Sequence, residues 1–388
     1  MYFQKGYILM HYLDNVATTQ VKEGPARLAM ELMTQNFGNP SSLHSMGIAA
    51  EHALSKARTQ VAAAIGTDAR RITFTSCGTE ADNTAVFSCA RRLAKRGKHI
   101  ITTAVEHPAI LNPMRELENS GYDITYLPVD QNGLISLSDV EAALRSDTIL
   151  VSVMLVNNET GAIMPVSQIK KLLIRKKSQA LLHTDAVQGL GKLPLNVAAL
   201  GVDLMSLSGH KIHAPKGIGA LYIRQGLTIP PYLYGGGQES GLRSGTESLP
   251  LIAAFGEACR DISDNLPAMR RHAAELKAYL YDRLAAEVPT AQTNFPNDAS
   301  HLANIASISL SGAKSEVMMR ILEGYEVYVS SGSACSKGKK SAVLTACGLP
   351  DDVIDGTVRV SFTDTNTKED IDALIEGLKE CSQRLLAR

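Results

Sequence analysis

Ser208-Gly209-His210-Lys211 places a lysine just beyond Asp203-Leu204-Met205-Ser206-Leu207, which reads as a strand, and Gly217 and Gly219 mark a return into Ala220-Leu221-Tyr222-Ile223. A lysine at a strand mouth can join an aldehyde cofactor as an imine. The Ser208 hydroxyl and the His210 imidazole can hydrogen-bond that cofactor's phosphate. Upstream, Ala180-Leu181-Leu182-His183-Thr184-Asp185 reads as a buried strand that ends on a carboxylate, followed by Gln188. Pyridoxal phosphate acts as an electron sink only while its ring nitrogen stays protonated, and an aspartate at a strand end is suited to hold that proton. Gln188 can donate to the ring's phenolic oxygen. Taken singly, the lysine reads equally as a solvated surface group and the aspartate as a turn cap. One strand apart, the two motifs together point to pyridoxal 5'-phosphate.

The elements that must position these groups alternate helix and apolar strand from about Ile72 to Ile223, the α/β pattern of a mostly parallel sheet with flanking helices. Ligands in such sheets collect at the carboxyl ends of the strands, where Gly78, His107, Asn158, Asp185 and Ser208 all fall. A glycine-rich segment from Tyr234 to Gly241 leads to Arg243-Ser244-Gly245-Thr246, and a long amphipathic helix is predicted from about Ser248 towards Leu284. Strands at Asn304–Leu310 and Thr357–Phe362, with helices at about Lys314–Glu323 and Lys368–Leu386, predict a smaller α+β domain. At 388 residues the chain exceeds a single core. The expected division is a large cofactor-binding domain over 11–260 and a small domain over 261–388, with residues 1–10 nearby.

A formal net charge of zero and the lack of a basic face argue against direct nucleic-acid binding. No run approaches the ~20 apolar residues of a membrane helix, so no membrane association is expected. The six cysteines are scattered without metal-finger spacing, which fits a reducing, cytoplasmic setting and no metal. Met1–Leu9 shows no signal-peptide pattern; its Tyr2-Phe3-Gln4 is consistent with an appended stretch, in which case Met10 is the natural first residue.

Several motifs stand in one order: Tyr12-Leu13-Asp14-Asn15 with Ala17-Thr18-Thr19, Gly38 to His44, Thr75 to Asn83, Glu106-His107, Val156-Asn157-Asn158-Glu159, the Asp185 and Lys211 motifs, Arg243-Ser244-Gly245-Thr246 and Ser330 to Cys335. From about residue 11 to the C-terminus the chain resembles the cysteine desulfurases of the class V aminotransferase type. The resemblance implies a pyridoxal-phosphate-dependent transferase of fold type I, acting on L-cysteine and forming a homodimer. Gly78-Thr79, between a strand at Arg71–Thr75 and a helix beginning near Glu80, then supplies backbone amides and a hydroxyl to the phosphate. Cys77 stands where relatives often carry glycine. His107 stacks on the ring and shuttles protons, a task suited to an imidazole, and Pro108 starts a helix behind it. Asn158, after a strand at Ile149–Val156, touches the cofactor and the substrate carboxylate. Arg359 anchors that carboxylate with its planar fork, since an arginine within Thr357–Phe362 is costly to bury without an anion. Thr246 reaches across a two-fold axis to the partner's phosphate, on a segment, Gly235–Gly245, too flexible to hold its own shape.

Cys335 selects the reaction. Its small polar neighbours and Lys337, Lys339 and Lys340 make a basic segment unfit for a core, and nearby ammonium groups favour a thiolate. By contrast Cys89, Cys259 and Cys347 have apolar surroundings in the sequence. The resemblance implies that Lys211 is exchanged for the substrate amine and then carries a proton, that Cys335 takes the sulfur as a persulfide while alanine leaves, and that a thiol on an acceptor protein of iron–sulfur assembly or tRNA thiolation removes it. A selenocysteine lyase shares nearly all these residues. An ordinary class V aminotransferase would not need Cys335, and a non-enzymatic scaffold would carry no chromophore.

Overall fold

Neighbouring side chains on a strand point to opposite faces of the sheet, and in this chain both faces are apolar. Ile101, Val151, Leu182, Met205 and Ala220 pack into one core, and Ile100, Leu150, Leu181, Leu204 and Leu221 into another. The structure, a computed structural model, describes residues 10–331 and 340–386. In chain order its strands are β1 (His11–Tyr12), β2 (Ile72–Thr75), β3 (His99–Thr103), β4 (Asp123–Leu127), β5 (Thr148–Ser152), β6 (Leu181–Asp185), β7 (Leu204–Ser208), β8 (Gly219–Ile223), β9 (Ala291–Thr293), β10 (Ile305–Leu310), β11 (Val327–Tyr328) and β12 (Thr357–Ser361). The main sheet has 7 strands in the order β2-β8-β7-β6-β5-β3-β4. Within it β8 alone runs antiparallel to its neighbours. The helices Ser45–Ala64 and Val166–Arg175 and the first part of Leu249–Glu287 cover one face, and Gly78–Leu93 with Pro108–Asn119 covers the other.

Two details differ from the sequence reading and both serve the site. The strand expected to run to Val156 ends at Ser152, its pairing with β3 having stopped at Val151, although Val153 N and Leu155 N still donate to the carbonyls of His183 and Asp185 on β6. The helix expected near Glu80 begins at Gly78, because Cys77 before it is extended. Gly219 permits that junction: an added Cβ would lie 2.6 Å from the Cys77 carbonyl carbon and 2.7 Å from Leu207 O. Only a bare backbone lets the helix start lie this close over the ends of β7 and β8.

A third core gathers Leu276, Leu280 and Leu284 with Ile308, Leu310, Val358, Val360, Leu322 and Leu374. It is built on the antiparallel sheet β12-β10-β9, and Leu13 belongs to it. Residue 260, the expected domain boundary, falls inside the helix Leu249–Glu287, whose two halves serve different cores. Pairing of β1 with β11 ties the start of the described chain to the smaller body. Of the described cysteines, Cys89, Cys259, Cys347 and Cys381 are buried and Cys77 is not.

Where helix Leu249–Glu287 crosses Ser45–Ala64, an added Cβ on Gly256 would meet Ala57 Cα at 2.7 Å and Ala57 Cβ at 2.8 Å. Alanine gains about 1 kcal/mol of helix propensity over glycine, whereas prising a packed core apart costs about 1–3 kcal/mol. Gly256→Ala is expected to lower the thermal unfolding midpoint; a midpoint at or above that of the parent would show that this crossing can relax.

Candidate active site

The carboxyl ends of β2, β6 and β7 and the segment after β5 surround a pocket of about 260 Å³. Among the residues singled out in the sequence, Gly78, Thr79, His107, Asn158, Asp185, Gln188, Ser208, His210, Lys211 and Arg359 all line it. Thr246 does not: it is exposed and lines a separate crevice with Phe74, Ser76 and Arg243. Cys335 lies outside the described residues, as do Lys337, Lys339 and Met1–Leu9. Of the three lysines expected around Cys335, Lys340 is described, and its ammonium pairs with Asp351 at 2.6 Å.

At one end of the pocket, helix Gly78–Leu93 presents its N-terminal amides with no side-chain cap from Cys77. Such a terminus favours an anion. An added Cβ on Gly78 would come within 2.9 Å of Val187 Cγ2 and 3.3 Å of Ser208 Cβ, so glycine is needed for the close approach. Beside it the buried Ser208 hydroxyl has no hydrogen-bond partner among the described residues. An orphan hydroxyl next to uncapped amides fits a phosphate. His210 sits near the same end with Nδ1 3.2 Å from Thr18 Oγ1. Burial, helped by the charges of Lys211, Lys216 and Lys192, pushes its pKa down to about 4.

Across the pocket, Lys211 Nζ donates to Val16 O at 2.6 Å and Ala17 O at 2.8 Å. Asp185 is buried at the end of β6, and its Oδ1 accepts from Val187 N at 2.8 Å. Burial pushes this carboxyl above the usual aspartate range, with His107 and Lys211 pulling it back. A buried carboxyl with so little support suits a cationic ring nitrogen brought by a cofactor. His107 caps helix Pro108–Asn119, its Nδ1 accepting from Ala109 N at 3.1 Å, and burial lowers its pKa. An acceptor Nδ1 carries no proton, so the imidazole is neutral and free to exchange a proton at Nε2. These features match the demands of pyridoxal 5'-phosphate at the phosphate, the ring nitrogen and the covalent anchor.

Arg359 is 2% exposed. Its Nη1 donates to Asn158 O at 3.0 Å and its Nη2 to Asp14 Oδ1 at 2.9 Å. An arginine here is costly to bury without an anion, and the protein supplies one, the Asp14 carboxylate, from a distant segment. Asp14 had been noted only as part of a motif. Its partner comes from the other end of the chain, and no local pattern reports that.

Other buried groups were equally invisible. Under the pocket His183 is held between Ser152 Oγ at 2.9 Å and Ser206 Oγ at 3.0 Å, and burial drives its pKa down to about 3. Asp82 Oδ1 lies 3.7 Å from His183 Nε2, and burial with the nearby Asp185 pushes this carboxyl well up. Glu159 accepts from Ser341 Oγ at 2.5 Å. The segment Gly235–Gly245, expected to be too flexible to hold its shape, is pinned instead. Arg58 donates to Glu239 at 2.6 and 2.7 Å, and Arg243 to Glu80 at 2.8 Å.

The family model for class-V aminotransferases matches residues 11–374. A cysteine desulfurase IscS of Methanosarcina thermophila is 41% identical over 376 residues, covering 96% of this chain and 92% of the relative. A cysteine desulfurase of a Nostoc species is 42% identical over 378 residues, covering 97% of this chain and 94% of the relative. Among solved structures, a NifS-like protein superposes with a TM-score of 0.90 at 36% identity, covering 96% of this chain and 99% of that one. A structure described as SspA in complex with cysteine gives 0.81 at 32% identity, over 92% and 99% of the two chains.

Glu106 provides a pH test. Its Oε1 accepts from Met154 N at 2.8 Å and Thr103 Oγ1 at 2.9 Å, while its buried Oε2 has no partner among the described residues. Burial raises its pKa from 4.5 to about 8. The folded protein therefore keeps a proton that the unfolded chain releases, and the stability this gives is full below pH 4.5 and lost as pH rises through 8. Glu106→Gln keeps the acceptor and removes the titration. Its melting temperature is expected to gain on that of the parent steadily from pH 5 towards pH 9; a difference constant across this range would contradict the assignment.

Proposed function

The chain belongs to the class-V aminotransferase family, and we propose that it is a pyridoxal-phosphate-dependent cysteine desulfurase that converts L-cysteine to L-alanine and holds the released sulfur on Cys335 as a persulfide. The observation that carries the reading is the meeting of Lys211 and the buried Asp185 in one pocket, with the orphan Ser208 hydroxyl and the uncapped helix at its end.

When bound, pyridoxal 5'-phosphate supplies a ring that withdraws electrons from the α-carbon of an amino acid. Lys211 would be its covalent anchor and, as a free amine, would carry the proton of the substrate α-carbon. Asp185 keeps the proton on the ring nitrogen. The amides of Gly78 and Thr79, the Thr79 and Ser208 hydroxyls and His210 hold the phosphate, and Gln188 donates to the phenolic oxygen. His107, neutral and lining the pocket, would lie against the ring and exchange protons at Nε2. Arg359 receives the substrate carboxylate with help from Asn158, and Asp14 fixes the far side of its fork. At Cys335 a bond forms between its thiolate and the substrate sulfur, the Cβ–S bond breaks, and the carbon takes up a proton to leave as alanine. A thiol on a second protein, serving iron–sulfur assembly or tRNA thiolation, then accepts the sulfur in the cytoplasm.

The working unit in this reading is a homodimer in which Thr246 completes the phosphate site of the second copy. Two features support it: Thr246 is exposed away from its own pocket, and the surface carries Met30, Phe37 and Leu43 at 64%, 65% and 96% exposure.

Cys335→Ser and Lys211→Ala separate the two halves of this chemistry. Cys335→Ser is expected to keep the cofactor and change its spectrum on adding cysteine while alanine stays at background, because a serine hydroxyl is not ionised at neutral pH and is a poor nucleophile towards sulfur. Lys211→Ala is expected to lose at least about 10²-fold in turnover. Alanine and sulfide at the parent's rate from Cys335→Ser would instead make the protein a simple lyase, and near-parent turnover from Lys211→Ala would end the assignment.

A further inference from the structure

Lys192 is 5% exposed, and none of the roles assigned above uses it. It closes a tight turn in which the amides of Gly189 and Leu190 both donate to Ala186 O. Gly191 within that turn is left-handed, with φ of +74°, and an added Cβ would lie 2.9 Å from Ile262 Cδ1. The turn folds the lysine back so that Nζ donates to Gln188 Oε1 at 3.2 Å. Lys192 does not line the main pocket; it lines a small crevice on which Lys211 also opens. Burial, with the Lys211 charge, pushes its pKa down to about 7. The amine donates hydrogen bonds whether or not it is protonated.

These contacts give the Gln188 carboxamide one way round. A backbone carbonyl can only accept, so Nε2 must face Val16 O, 3.2 Å away, and Oε1 is left facing the lysine, whose amine has N–H groups to donate in either protonation state. One N–H of Nε2 serves Val16, which leaves the other for the pocket that Gln188 lines. Val16 O is shared, since Lys211 Nζ also donates to it at 2.6 Å. The bond from Lys192 is therefore the tether that acts on Gln188 alone.

We infer that Lys192 is a positioning residue: from behind the pocket it fixes the Gln188 carboxamide so that an N–H is offered to the cofactor's phenolic oxygen. The inference rests on the reading of Gln188 as donor to that oxygen. A donor there stabilises the oxygen's anionic form, so the nitrogen joining Lys211 to the cofactor releases its proton at lower pH; losing the donor raises that midpoint. The same nitrogen is faced by Asp14, His107, Asp185 and His210. Lys192 is faced across its crevice by His213, Asp261, Arg270 and Asp364. All of these are kept in every variant compared; the charge of Lys192, which also reaches Lys211, is lost in Lys192→Met, and a direct effect of that loss would raise the midpoint equally with and without Gln188.

The test is the visible absorption of the cofactor-loaded protein, titrated with pH, for the parent, Lys192→Met, Lys192→Arg, Gln188→Ala and the double variant Gln188→Ala/Lys192→Met. Lys192→Met is expected to raise the midpoint by about one pH unit, and Lys192→Arg, which retains a donor, to stay within about 0.3. In the Gln188→Ala background Lys192→Met should add nothing, because both changes act through one amide. An unmoved midpoint in Lys192→Met, or the same shift in both backgrounds, overturns the inference. If Gln188→Ala itself leaves the midpoint in place, the reading of Gln188 fails and takes the inference with it; if Gln188→Ala shifts it and Lys192→Met does not, the inference alone fails. Should Lys192→Met not retain cofactor, Lys192→Arg decides: a parental midpoint supports the tether, and a shift of about one unit overturns it.

Discussion

Asp185 is a carboxyl group buried at the end of a parallel strand and held by one backbone amide. A carboxylate so placed is expensive unless a cation reaches it, and it otherwise keeps its proton. The surroundings are arranged so that the cation can be a ring nitrogen rather than a protein side chain. Lys211 lies on the far side of the pocket, bonded to the carbonyls of Val16 and Ala17. His107 is committed to capping its helix, and His183 beneath is neutral between two serines. Lys211, Asp185 and the uncapped start of helix Gly78–Leu93 are thus brought together by one feature, the common direction of β2, β5, β6 and β7.

The second constraint is the path of residues 11–22. This segment pairs with β11, places Leu13 in the smaller core and sets Asp14 against Arg359. It then runs under Lys211, and Lys22 ends it with ion pairs to Asp261 and Asp364 at 2.7 and 2.6 Å. One strip of chain therefore touches Arg359, Lys211 and both cores. Relative movement of the two bodies would disturb the surroundings of Arg359 and Lys211 together.

Much of this was legible in the sequence, for reasons that differ from group to group. Lys211, Asp185 and Gly78 sit at strand ends, where hydrophobic periodicity locates them to within a residue or two, and their chemistry is carried by residue type. Elements with strong periods, such as Lys368–Leu386, fall where they were expected. What the sequence could not show depends on tertiary pairing: the Asp14 partner of Arg359, the Glu159 contact with Ser341, the placement of β8 between β2 and β7, and the ion pairs that hold Gly235–Gly245. Lys192 escaped notice for a related reason. A lysine in a glycine-rich turn reads as solvated until Ile262, from a helix some seventy residues on, is seen closing over the turn.

The claim on which everything rests is that Lys211 and Asp185 serve one bound pyridoxal ring that L-cysteine can reach. The most direct measurement is the absorption spectrum of the purified protein before and after addition of L-cysteine, with alanine assayed in the same sample. The account predicts a visible band in the resting protein, a change in that band on adding cysteine, and alanine accumulating with it. A colourless protein from which no pyridoxal phosphate can be released, or a band that cysteine leaves untouched while no alanine forms, would contradict it.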